Sequence, residues 1–523
     1  MTRTTVIGGG IAGLASAALL AREGHTVRLL ERGPRLGGRA GILERDGFRF
    51  DTGPSWYLMP GAFEHFFNLL GTTTDEQLDL RTLDPGYRVF AEPHGSAPAR
   101  VIDVPNGREQ VMRRFETIET NSADELERYL ASAEHASQMA ERYFLYNPFT
   151  KLRSLATADV LRMLPKLASL FGSNLERFVA KRFSDPALRQ VLGYPAVFLG
   201  ADPSRAPAMY HLMSAFDLGD GVKYPMGGFW GVVQRLEELA VRAGVQIVEN
   251  SEVTRILTRH ERGNLTVAGL RVRDRGGAER VEHANLVVSA ADLHHTETQL
   301  LAPEAQSYPE SWWRKAQSGP GAVILMLGVA GSLPELEHHS LFFTSDWRAN
   351  FESIFGTAPG IPEPASLYVC RPSATDPSVA PAEHENLFVL IPVPADANLG
   401  AGGADGGGDP SIERAADAAI DQISRWAGIP DLRDRIVVRE TLGPADFARD
   451  YHSWRGGVLG PAHTLRQSAF FRPQNRSKRV DNLYYAGGTT RPGIGVPMCL
   501  ISAEIVLKLI RGDHSAGATR SRT

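Results

Sequence analysis

The chain has 523 residues and a mass of 57.0 kDa, too long for one ordinary core, so two domains are expected. Apolar residues at 43% and charged residues at 22% describe a globular protein, and a net charge of −4 offers no basic excess for nucleic acid. Two cysteines, Cys370 and Cys499, cannot form a disulfide framework and lack metal-ligand spacing, so no metal site is expected and a reducing, cytoplasmic compartment fits. No run approaches the ~18–20 apolar residues needed to span a bilayer. The N-terminal apolar stretch is broken by glycines and lacks a basic leader, so it does not read as a secretory signal.

The chain opens with a short β-branched strand at residues 4–7, then the turn Gly8-Gly9-Gly10-Ile11-Ala12-Gly13, then an Ala/Leu-rich helix over about 14–21. A second strand, 26–30, ends at Glu31. This is a βαβ unit with G-x-G-x-x-G at Gly8, Gly10 and Gly13 and an acid 18 residues after the last glycine. Gly8 permits the tight turn, Gly10 lets a pyrophosphate approach the backbone, and Gly13 lets helix and strand pack closely. Together with Ala12 they put free N–H groups and a positive dipole end at the phosphates. Glu31 is placed to accept hydrogen bonds from ribose hydroxyls. Strand, turn, helix and acid in register predict dinucleotide binding.

Directly after Glu31 come Arg32-Gly33-Pro34-Arg35-Leu36-Gly37-Gly38-Arg39 and then Phe50-Asp51-Thr52-Gly53-Pro54-Ser55. This continuation resembles the FAD-binding superfamily of flavin amine oxidases and carotenoid desaturases. The resemblance implies FAD as cofactor, with Arg32, Gly38 and Arg39 at its phosphates and the loop of Gly53, Pro54 and Ser55 beside the isoalloxazine.

Farther along, Phe63, Phe66, Phe67 and Leu70 recur at helical spacing, and residues 87–104 turn to a strand pattern, so the chain leaves the nucleotide unit near residue 85. Helical patterning resumes over 122–146. Residues 147–190 carry eight basic side chains against three acids among many apolar ones, a basic amphipathic texture suited to a lipid surface. At Tyr224-Pro225-Met226-Gly227-Gly228 the chain returns to the nucleotide unit, with a helix predicted over 231–243. By the same resemblance Val253 contacts the adenine, and the strand predicted within 284–291 carries Ala290 in its small-residue end. Apolar strands are predicted at 321–329, 365–370 and 386–393. The run 399–410 is glycine-rich without strand–G-x-G-x-x-G–helix order, so it reads as a flexible surface loop. No second nucleotide unit remains, and an external acceptor, quinone or oxygen, is expected to reoxidise the flavin.

The C-terminal hundred residues contain Tyr451-His452-Ser453-Trp454-Arg455-Gly456-Gly457 and then Tyr484-Tyr485-Ala486-Gly487-Gly488-Thr489-Thr490-Arg491-Pro492-Gly493-Ile494-Gly495-Val496-Pro497. This resembles the bacterial-type phytoene desaturases. It implies that Gly487, Gly488, Gly495, Val496 and Pro497 face the pyrimidine end of the flavin, where backbone amides stabilise charge on the reduced ring. The chain departs from some relatives at Arg491 and at Gly488-Thr489.

The implied fold class is α/β: a Rossmann-like FAD-binding domain of the flavin amine oxidase and GDP-dissociation-inhibitor superfamily, with an inserted α+β substrate domain. The first is expected to comprise 1–85, 225–300 and 455–523, the second 86–224 and 301–454. The implied activity is desaturation of a long apolar carotenoid such as phytoene, with hydride going to flavin N5 and a proton leaving the neighbouring carbon. Related alternatives are a diapophytoene or hydroxy/methoxy-carotenoid desaturase, an isomerase or a ketolase, and, outside enzymes, a prenyl-lipid carrier. A hydrocarbon substrate implies peripheral contact with a membrane surface. No catalytic acid or base is legible: His211 and His452 read as structural.

Overall fold

The computed structural model describes residues 2–95, 97–150, 162, 168–198 and 200–520. Much of the basic amphipathic segment, 151–161 and 163–167, lies outside the described residues.

Five short strands form a parallel sheet in the order Leu483–Tyr485, Leu286–Ser289, Arg3–Ile7, Thr26–Leu30, Gln246–Val248. Four of these strands are buried along most of their length, as parallel strands covered by helices must be, whereas the edge strand Gln246–Val248 is only half-buried. The helix Ile11–Arg22 supplies Leu14, Ala15, Ala18 and Leu19 to this core, together with Gly228–Arg242 and Val496–Arg511. All five strands come from segments 1–85, 225–300 and 455–523.

A seven-stranded sheet is built from the rest of the chain, in the order Ile436–Leu442, Gly321–Ala330, His384–Val393, Leu367–Cys370, His339–Phe343, Tyr87–Ala91, Arg100–Val104. It is antiparallel except where His339–Phe343 meets Tyr87–Ala91. Alternation along Gly321–Ala330 divides its side chains between two cores. Val323, Leu325 and Leu327 pack toward the helix Pro410–Ala427, whereas Ile324 and Met326 join the aromatic cluster that holds Tyr87, Tyr194 and Tyr368. A third sheet, the hairpin Ser251–Glu261 and Asn264–Asp274 with Glu279–Glu282, is extended by Val480–Asp481.

The helix predicted over 231–243 begins earlier, at Gly228, because the Asp51 carboxylate accepts from Phe229 N–H (2.7 Å) and Trp230 N–H (3.1 Å) and caps it. The glycine-rich run 399–410 is not a flexible spacer. A Cβ on Gly402 would lie 2.0 Å from the Thr441 carbonyl oxygen, and Gly402 N–H donates to Asp446 Oδ2 at 2.6 Å. Gly403 N–H donates to Thr441 Oγ1 at 2.9 Å. These glycines serve close packing against the strand Ile436–Leu442, a role that composition does not distinguish from flexibility.

Candidate active site

The N-terminal glycines follow the strand Arg3–Ile7 at the carboxyl ends of the parallel sheet, the location at which open α/β sheets bind ligands. Gly8 holds φ +95°, and a Cβ on Gly13 would stand 1.9 Å from the Gly8 carbonyl oxygen, so helix and strand touch through glycine alone. Gly10 is different. Its φ of −73° suits any residue, and a Cβ there would meet nothing closer than 3.8 Å. The helix it opens has no side-chain cap and no acid in its first turn. Uncapped amides facing open space are what an incoming pyrophosphate requires.

Around this turn the predicted residues assemble from distant sequence. Glu31 closes the βαβ unit, its carboxylate accepting from Gly9 N–H and Gly33 N–H, both at 2.7 Å. Gly37 N–H donates to the Gly9 carbonyl at 2.9 Å, which lays Gly38 against Gly10. Gly53 packs on Arg39, where a Cβ would fall 2.0 Å from the carbonyl oxygen. Ala290 follows its strand and borders Gly8 and Gly13, while buried Ala12 lies 3.6 Å from the Cβ position of Gly487. The two ends of the chain therefore meet. Gly487 and Gly495 hold φ +118° and +116°, and Gly495 caps Val496–Arg511, a second helix without a side-chain cap or first-turn acid. Gly488 and Gly495 each leave more than 3.6 Å before a Cβ would touch anything, whereas Pro497 occupies the first turn, where its missing N–H costs nothing.

Four predicted residues engage other parts of the protein. Arg32 reaches the C-terminal end of the helix Pro444–Tyr451, donating to the Arg449 carbonyl at 3.0 Å and meeting His452 Nε2 at 3.1 Å. Arg39 donates to Ser453 Oγ at 2.6 Å and lies 3.8 Å from Asp292. Val253 is buried in the hairpin strand, beside a break in register. Pro54 leads into Ser55, whose hydroxyl lies 2.7 Å from that of Tyr368, and the next residue, Trp56, stacks on His339 with centroids 4.3 Å apart.

Arg491 is buried and turns toward Pro148 and Phe470, donating to both carbonyls, and it lies over the Phe149 ring. The turn itself is held by Arg472, which is 1% exposed and donates to the carbonyls of Thr490 (3.0 Å), Gly488 (2.6 Å) and Pro461 (3.2 Å). Burial lowers its pKa to about 10, leaving it a cation at neutral pH. His211 is buried against Ser132 and Ala208, and His452 stacks on His295 at 3.9 Å.

Several ionisable groups near the site escaped sequence reading. Burial raises Asp51 to about 7 against the two amides it caps. Asp217 is also raised to about 7 by burial, with the hydroxyls of Tyr87 and Tyr194 each 3.4 Å from Oδ2. Burial raises Asp292 too, against the opposing pull of Arg39. Asp51 lies inside the 50–55 motif, but its capping role is not legible there, whereas Asp217 and Asp292 lie in stretches without a motif and are brought inside by tertiary packing. His338 and His339 are likewise buried, and desolvation holds both rings neutral.

The family described as flavin containing amine oxidoreductase matches residues 11–506. The carotenoid 3,4-desaturase of Haloarcula japonica is 40% identical over 96% of this chain and 96% of its own length. The zeta-carotene-forming phytoene desaturase of Myxococcus xanthus is 32% identical over 99% and 96%. A solved structure of an oxidoreductase from Methanosarcina mazei superposes with a TM-score of 0.58 at 18% identity, covering 97% of this chain and 100% of that one, which is a likeness of fold.

Proposed function

Because the chain belongs to the flavin containing amine oxidoreductase family and is an FAD-dependent oxidoreductase of the carotenoid-desaturase type, we propose that it desaturates a long carotenoid, forming new conjugated double bonds. The observation that carries this reading is full-length similarity to two carotenoid desaturases combined with an intact glycine framework at both ends.

In this reading Gly8, Gly10, Ala12 and Gly13 receive the pyrophosphate, Glu31 the adenosine ribose, and Val253 the adenine. Gly38 and Arg39 flank the phosphates, with Arg32 bracing the loop beside them. Gly53, Pro54, Ser55 and Ala290 line the ring, and Gly487, Gly488, Gly495, Val496 and Pro497 present amides to its pyrimidine end. Bound FAD supplies the two-electron oxidant. The protein supplies orientation and exclusion of water. Beyond Ser55 the packing is aromatic: Trp56 lies 5.5 Å from Tyr87 and 6.0 Å from Tyr194, both buried, apolar surroundings in keeping with a hydrocarbon that offers no polar handle.

The parent substrate is phytoene-like. A second reading, action on a carotenoid that is already conjugated, is favoured by the higher identity to the 3,4-desaturase, 40% against 32%. Membrane contact is part of the same proposal. No helix among the described residues is long and apolar enough to cross a bilayer. Yet Leu465, Phe470 and Phe471 are exposed, and Leu465 shares a cavity of about 610 Å³ with Phe171, Arg177, Lys181 and Arg205. Apolar tips beside basic groups suit an anionic lipid surface, consistent with a cytoplasmic, peripherally bound enzyme that passes electrons to quinone or oxygen.

The test is anaerobic incubation of FAD-loaded protein with phytoene, or with a conjugated carotenoid, in liposomes. Flavin bleaching with a red-shifting polyene spectrum is expected, and the substrate that bleaches it identifies which carotenoid is used. A flavin that stays oxidised with both refutes the proposal.

A further inference from the structure

Three ligand-type side chains converge behind the loop that carries Ser55. His338 and His339 stand at the start of the strand His339–Phe343, and Cys370 lies on the adjoining strand, with His339 and Cys370 directly paired across it. Their relative exposures are 4%, 0% and 2%. One donor atom from each falls within 4.8 Å of the others. Neither the glycine framework nor the proposed desaturation uses any of them.

Each imidazole is hydrogen-bonded on one nitrogen only, and the Cys370 thiol meets the Tyr368 hydroxyl. His338 Nδ1 lies 2.8 Å from Thr375 Oγ1, and His339 Nδ1 lies 2.7 Å from the Tyr368 hydroxyl. Both Nε2 atoms are buried and have no hydrogen-bond partner among the described residues. With the proton on Nδ1, each ring presents a free Nε2 lone pair to the interior. Metal-binding histidines are commonly held in this way, an outer partner fixing the tautomer while the other nitrogen binds the ion. A buried acceptor left unsatisfied costs about 1–3 kcal/mol, so two such atoms, on rings whose ligand nitrogens and the Cys370 sulfur fall within 4.8 Å of one another, call for an occupant.

We propose that His338, His339 and Cys370 bind a single d10 cation of the zinc(II) class. Two imidazole nitrogens and a thiolate select zinc(II), or copper(I), over the oxygen-seeking magnesium and calcium. Bonds of ~2.0–2.1 Å to nitrogen and ~2.3 Å to sulfur place such donors roughly 3.5 Å apart. Starting from donors within 4.8 Å of one another, the trio must therefore contract by up to roughly 1.3 Å, within the reach of side-chain rotation. Binding replaces the S–H bond with a metal–sulfur bond and releases one proton to solvent, with no change of oxidation state. Asp376 and Asp51 offset the added charge, acting on His338 and Cys370 respectively, while Arg371 opposes it. The ion would brace the wall of the candidate active site, because the Tyr368 hydroxyl that holds His339 also meets Ser55, and Trp56 stacks on the His339 ring.

The FAD-loaded protein is stripped with a chelator, re-equilibrated with zinc(II) and assayed for metal by mass spectrometry. In parallel it is titrated with cobalt(II), whose bond to a thiolate gives a near-ultraviolet charge-transfer band. The wild type is expected to take up one zinc per chain and to show the band. Cys370→Ser is expected to lose the band, and His338→Gln to weaken uptake at least tenfold, each with FAD content unchanged as the check on folding. Copper(I) binding in place of zinc(II), with the same dependence on Cys370, also supports the site. Wild-type protein with full FAD that takes up no more zinc than Cys370→Ser, or that gives no sulfur band with cobalt, overturns it. Because the wild-type titration stands alone, a variant that fails to fold does not shield the proposal, and none of these outcomes depends on which carotenoid is the substrate.

Discussion

Gly10 and Gly13 belong to one motif, yet they should fail in different ways. Gly10 has ordinary φ/ψ and open space ahead of it, with the nearest atom 3.8 Å from a built Cβ. Gly10→Ala should therefore fold with stability close to wild type, within ~0.5 kcal/mol as for an unstrained substitution away from the core. Its methyl group stands where a phosphate oxygen must approach the amides at the helix start. Losing one hydrogen bond to a charged group costs about 1.5–3 kcal/mol, a roughly 10- to 150-fold weaker FAD complex. Gly13→Ala meets the Gly8 carbonyl oxygen at 1.9 Å, far inside the 3.0 Å that real Cβ contacts keep. The helix must retreat by about an ångström, and overpacking of this kind costs about 1–3 kcal/mol or more in the apoprotein itself. Urea melts of stripped protein and flavin titration separate the two effects. Gly10→Ala with wild-type FAD affinity would refute this placement of the pyrophosphate, and Gly13→Ala with wild-type apoprotein stability would refute the close packing of Gly13 on Gly8.

Asp217→Asn should flatten the pH dependence of stability. Burial raises this carboxyl to about 7, so its contribution is full below the unfolded-state value near 4 and is lost as pH rises through about 7. The loss is on the order of 4 kcal/mol, and parallel pH–stability curves for variant and wild type would contradict it. Arg472→Lys should destabilise the protein by about 3 kcal/mol or more and lower FAD occupancy, because an ammonium cannot span the carbonyls of Thr490, Gly488 and Pro461; unchanged melting and flavin content would contradict this. Phe470→Ser with Phe471→Ser should weaken binding to anionic vesicles at least tenfold in a sedimentation assay while retaining FAD, since each exposed ring carries about 1.5–3 kcal/mol of transferable apolar surface. Equal sedimentation of variant and wild type would remove this patch from the membrane-contact proposal.

The residues alone point to the βαβ unit and dinucleotide binding, while FAD and the role of the C-terminal glycine turn come from the family resemblance. The first two depend on local rules: a glycine where φ is positive or a carbonyl approaches, an acid at a strand tip, a helix opening on a turn. Apolar runs in the sequence also marked the strand Gly321–Ala330 as buried. Composition misjudged the run 399–410, because glycine serves flexibility and close packing alike, and only the contact with Thr441 distinguishes them. Tertiary structure decided that Arg491 turns toward Pro148 and Phe470, that Arg472 holds the C-terminal turn, and that Asp217 lies beneath two tyrosines. It also brought His338 and His339 against Cys370, 31 residues from His339 along the chain but its directly paired neighbour across two strands. Burial and charge pairing depend on which surfaces meet, and surfaces distant in sequence meet only when the whole chain has folded.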